Sequence, residues 1–146
     1  MTPPAPKGKK SKEELADEAR TIKRATIHKV QRTLTKQGEN LKTIENNIKI
    51  YEKQEGCEEL IAIHIEYEAE IKDIIAKYEE YIELLKGTAN PNHFTEESLE
   101  TRIGNLSRFN RRIEKLKKER QNRLDELKKQ QESAKQLQEL TTPIPE

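Results

Sequence analysis

The chain of 146 residues has no Trp, two Phe, four Tyr and a single Cys, and only five Gly and six Pro. With 32% apolar residues and so few aromatic ones, it lacks the bulk for a globular core of ordinary thickness, and a thin core follows. Cys57 has no second cysteine to pair with, so an internal disulfide is excluded and an intracellular, cytoplasmic setting is expected. No apolar run approaches the roughly 18 residues of a membrane span. The Pro- and Lys-rich start, residues 1–11, has no apolar segment behind it and reads as a flexible basic tail, not a secretory signal.

Catalytic chemistry is missing as well. Phosphate-binding loops need clustered glycines whose amides approach the anion, yet Gly8, Gly38, Gly56, Gly87 and Gly104 are scattered. His28, His64 and His93 fall on three different elements, with no convergent metal-ligand set. Cys57 and His64 share one helical stripe with Glu68 a turn further on. Two turns is about 10 Å, too far for thiolate activation, so a buried seam histidine and a small core-edge cysteine are expected. No catalytic, cofactor-binding or metal residue is expected, nor a small-molecule substrate.

What the sequence has in quantity is charge, 38% of residues, together with Leu and Ile at regular spacing. High charge with few apolar residues also describes disordered chains, and periodicity decides between the two. Pro occurs only at 3, 4, 6, 91, 143 and 145, so helix is permitted over nearly the whole chain. Ser11-Lys12-Glu13-Glu14 forms a capping box and starts a first helix over about 12–54. Its stripe is Ile27, Val30, Leu34, Gln37, Leu41, Ile44, Ile48 and Tyr51, three or four residues apart, with Gln37 the polar exception. Beside Gly38, Gln37 reads first as a local weak spot and second as a polar residue that sets register.

At Gln54-Glu55-Gly56 the stripe loses phase, and a tight turn on Gly56 is expected. A second helix, 57–86, carries Cys57, Leu60, His64, Tyr67, Ile71, Ile74, Tyr78, Tyr81 and Leu85, with Ile61, Ile75 and Ile82 widening its apolar face. A helix apolar over more than one seam contacts two neighbours, so this is the expected middle element. Gly87 closes it, and Asn90-Pro91-Asn92 marks a loop. A third helix, 95–140, should start at Thr95 as N-cap with Phe94 stapled against Leu99, and continue through Leu99, Ile103, Leu106, Phe109, Ile113, Leu116, Leu124, Leu127, Ala134 and Leu137. Residues 141–146 read as a disordered tail.

Charge differs by segment. Residues 57–86 hold nine acids and three Lys, net −6, while residues 102–129 hold eleven bases and four acids, net +7. Residues 20–36 add six bases without an acid. Complementarity between an acidic middle helix and two basic ones is the economical explanation, favouring register more than stability. The sharper one is phosphate contact through Arg108, Arg111, Arg112, Lys115, Lys118 and Arg123, as part of a nucleic-acid-associated assembly protein using segments 20–36 and 102–129.

Lys23-Arg24-Ala25-Thr26-Ile27 and Thr33-Leu34-Thr35, followed by EYEAEIKDIIAKYEEYIELL at 66–85, resemble the helical N-terminal region of gag-like proteins of Pao/Bel-type retrotransposons. That resemblance spans residues 23–85, under half the chain, and implies self-assembly and RNA contact; no zinc knuckle or protease motif accompanies it. Residues 98–130 are similar to helical rods of microtubule cross-linkers.

The residues therefore predict an all-α protein, an elongated antiparallel three-helix coiled-coil bundle with flexible termini. Its expected role is a structural or adaptor one, pairing with itself as a homodimer or with another helical protein. The partner-binding seams would be Leu34, Leu41, Ile44, Ile48, Ile71, Ile74, Tyr78, Tyr81, Leu106, Ile113, Leu124 and Leu127.

Overall fold

The structure, a computed structural model, describes residues 11–141; the tails expected over 1–11 and 141–146 lie outside the described residues except at Ser11 and the backbone of residue 141. All described elements are helices: α1 (Lys12–Glu52), α2 (Glu58–Lys86), α3 (His93–Asn105) and α4 (Ser107–Thr141). α1 begins where its cap dictates, with the Ser11 hydroxyl accepting from the Glu14 amide at 3.2 Å. The α1–α2 turn uses Gly56 at φ 73°, a left-handed backbone that a side chain would strain.

Side-chain contacts give the directions. Lys23 Nζ donates to the Gly87 carbonyl, Asn40 Nδ2 donates to Tyr67 Oη at 3.1 Å, and Tyr51 lies against His64. Numbers rise along α1 as they fall along α2, so the two are antiparallel. On the other side of α2 the same holds for Tyr81 with Glu96, Arg102 with Glu70, and Phe109 stacked on Tyr67 at 5.0 Å. Hence α2 runs between α1 and the α3–α4 rod, and α1 and α4 point the same way.

This central position explains burial. α2 places Leu60, Ile63, His64, Tyr67, Ile71, Ile74, Tyr78, Tyr81, Ile82 and Leu85 inside, α1 gives Val30, Gln37, Ile44 and Ile48, and the third rod gives Leu99, Leu106 and Ile113. Ile71, Ile74 and Leu85 are fully enclosed, each stabilising the fold by about 1.5–3 kcal/mol.

Two expectations need correction. The third helix is not continuous over 95–140: it is interrupted at Leu106, whose amide donates to the Ile103 carbonyl at 3.0 Å, while the Phe109 amide donates to the Leu106 carbonyl at 3.1 Å. Both bonds reach back three residues instead of four, an offset that Gly104, Asn105 and Ser107, all weak helix formers, do little to resist. The break keeps Leu106 buried against the core. The start of that rod also differs, because Asn92 and not Thr95 is the N-cap, its side chain accepting from the amides of Phe94 and Thr95. Tyr81 Oη accepts from the Asn92 amide at 2.8 Å and donates to Glu96 at 2.9 Å, which anchors the cap on α2. Starting the helix earlier turns Phe94 outward, 81% exposed, and the staple against Leu99 does not form.

Candidate interaction surface

The seam residues divide into two groups. Ile44, Ile48, Ile71, Ile74, Tyr78, Tyr81, Leu106 and Ile113 are buried within this one chain, and Leu34 and Leu41 pack against that core. Leu124 and Leu127, although they continue the same spacing, are 44% and 54% exposed. Near the end of the bundle Arg120 of α4 donates to the Glu55 carbonyl, at the α1–α2 turn. From there every residue over 121–140 is exposed, a helical projection of about 30 Å at 1.5 Å per residue. At the opposite end residues 12–22 of α1 are exposed too, before Lys23 meets Gly87.

The charged residues also separate. Arg102 lies across two α2 acids, its guanidinium 2.9 Å from Glu70 and 2.7 Å from Asp73. Lys29 pairs with Glu100 at 2.8 Å, and that contact holds the lysine ammonium above its usual range. No ion pair joins α4 to α2 among the described residues, so the expected complementarity along the whole bundle is confined to the α3 level. The reason is rotation. Arg108, Arg111, Lys115 and Lys118 project, at 3.6 residues per turn, on the half of α4 away from Phe109, Ile113 and Leu116, whereas Arg112 turns towards α2 and lines a cleft with its Glu59 and Glu66. All five are exposed and have no carboxylate within ion-pair distance among the described residues. Arg123 departs from this ridge, lining a small cleft of about 110 Å³ with Glu58 and Glu59.

Cys57 and His64 are both buried, but not as a pair. The thiol faces Gln54 Oε1 and the Glu55 carbonyl at 3.8 Å each. His64 Nδ1 lies 2.7 Å from the Leu60 carbonyl, a bond that requires the proton on Nδ1, and the ring tilts against Tyr51. Burial, with Lys117 adding to it, lowers the His64 pKa despite the opposing Leu60 bond. Burial likewise pushes the Tyr78 hydroxyl up to about 12, keeping it neutral. Gln37 is buried with Oε1 unpartnered among the described residues, a polar atom that costs stability. Among the described residues no three His, Cys, Asp or Glu converge to hold a metal, and no helix is long and apolar enough to cross a membrane.

One feature went unread in the sequence. A groove of about 590 Å³ runs between the end of α2 and the start of α3, bordered by Tyr81, Leu84, Phe94, Leu99 and Arg102. The signal was Phe94 just after Asn92: with Asn92 as cap, Phe94 has no stapling partner. Compared with known proteins, the chain matches no family model, no curated protein and no solved structure.

Proposed function

We propose that this chain is a non-catalytic interaction module: an antiparallel three-helix bundle of coiled-coil character that holds out helical arms for pairing with other helices. The projection of α4 carries this reading. A lone helix of some 20 residues is marginal in water, since most helical stability comes from packing an apolar face. Leu124 and Leu127 keep that face beyond the end of the bundle, where every described residue over 121–140 is exposed. A single buried thiol suits a reducing, intracellular setting.

A photo-cross-linking amino acid at Leu127 of the full chain tests the reading. Irradiation in native extract should yield protein adducts, whether with other chains or with a second copy, and the same probe at Ser133 on the other side of α4 should yield far fewer. No adduct at Leu127 would refute the proposal.

A second reading has its own observation. The outward ridge of Arg108, Arg111, Lys115 and Lys118 suits contact with nucleic-acid phosphates, as the gag-like resemblance implies. Binding to mixed-sequence single-stranded RNA should weaken steeply with salt, and R111E/K115E should flatten that dependence by about one slope unit per charge removed. Unchanged binding in the variant would end this reading.

A further inference from the structure

We infer that copies of this chain associate head to tail, the projecting part of α4 in one copy lying alongside the projecting start of α1 in the next. The inference rests on the interaction-module reading and goes beyond it by naming the partner as a second copy of the same chain. Three observations carry it.

The first is that the two uncovered faces lie at opposite ends. Residues 12–22 of α1 extend past the level of Gly87, and residues 121–140 of α4 extend past the level of Glu55. On α1 the exposed stripe is Leu15, Ala19 and Ile22, with Leu15 54% and Ile22 57% exposed. On α4 it is Leu124, Leu127, Gln131 and Ala134. The spacings match: 15, 19, 22 against 127, 131, 134.

The second is direction. Because α1 and α4 are both antiparallel to α2, they point the same way, and a copy shifted along the long axis and sideways by the width that α2 occupies between them brings the α4 arm beside the α1 arm in parallel orientation. The shared length is about 16 Å, the length of the shorter arm. At the register that pairs Leu15 with Leu127 and Ile22 with Ala134, Leu140 comes level with the exposed Leu84 and Phe94 of the second copy, beside its open groove.

The third is charge. The α4 stripe has Lys128 and Lys135 along one flank and Arg123 on the other, whereas the α1 stripe has Glu14 and Glu18 on the flank that parallel pairing turns towards Lys128 and Lys135. The remaining flank sets Arg123 and Gln130 against Ala16 and Lys23 without adjacent like charges. Pairing α4 with another α4 is disfavoured in both directions: parallel, Arg123 meets Lys128; antiparallel, the Lys128/Lys135 flank meets itself. A heterologous contact of this kind does not close on two copies but continues from one to the next.

Sedimentation of the full-length chain over a concentration series tests this, together with a head variant (L15E/I22E) and a tail variant (L124E/L127E). All four positions are exposed, so helicity should be retained. The wild type should rise in mass past two chains, at least about threefold over the monomer at the highest concentration. Each variant alone should stay monomeric, and an equimolar mixture should form a two-chain species and nothing larger, because one intact head meets one intact tail. Independently, K128E/K135E should lower association about tenfold and E14K/E18K should restore it when the two are mixed. A wild type that stays monomeric or stops at the dimer, a head variant that associates like wild type, or a mixture that stays monomeric would each overturn the inference. If the purified chain is monomeric while Leu127 still cross-links to other proteins in extract, the head-to-tail contact alone is wrong and the interaction-module reading stands.

Discussion

α2 and the outer part of α4 share one pattern, apolar residues every three or four places, yet meet opposite fates. α2 lies between α1 and the third rod, and its Ile71 and Ile74 see no solvent. Leu124 and Leu127 carry the same spacing into water because α1 and α2 turn back at residues 53–57 and neither helix continues beside them. Periodicity thus states that a face is meant to be covered; chain reversal decides whether the cover comes from the same molecule.

The sharpest way to break this comparison is a cavity in the middle helix. Ile74→Ala should cost about 2–5 kcal/mol in chemical unfolding of the chain, since its surroundings close around the side chain on every side. Next in size, Arg102→Ala should cost about 1 kcal/mol, as its two carboxylate partners are only partly shielded from water. Gln37→Leu should move the other way, stabilising by about 1 kcal/mol by removing a buried unpartnered oxygen.

Acidity provides a subtler probe. Buried among Tyr51 of α1, Leu60 of its own helix and Lys117 of α4, His64 takes a proton less readily folded than unfolded. Its contribution is therefore complete above the unfolded value of about 6.5 and declines as pH falls from there towards the depressed native value, because the unfolded chain binds the extra proton first. In unfolding curves across this window, His64→Gln should flatten the decline relative to wild type. Smallest of all, Leu127→Ala in a dilute, monomeric chain should change unfolding by about 0.5 kcal/mol or less. A loss as large as that at Ile74 would mean that α4 is covered after all.

Much of the architecture was legible in local residues. Ser11 with Glu14 marked the start of α1, Gly56 marked the left-handed turn, and the added Ile61, Ile75 and Ile82 marked α2 as the element with two neighbours. The interruption at Leu106 was not legible, because Leu106 fits the stripe and the weak helix formers around it are individually tolerated. Thr95 looked like the better cap until Tyr81, distant in sequence, fixed Asn92. The α4 cations could be counted but not oriented, since only the rotation of α4 on α2 turns Arg108, Arg111, Lys115 and Lys118 away from the α2 acids and Arg112 towards Glu59 and Glu66.

The residue spacing, caps and turn glycine by themselves determined that this chain is helical, where its helices turn and which edges seek cover, because each depends on neighbours within a few residues. Which apolar edge is covered, which charges find partners and where the arms extend past the bundle were settled only by the packing of α1, α3 and α4 on α2. Those outcomes depend on relative length and rotation of helices far apart in the chain, and no local window contains either quantity.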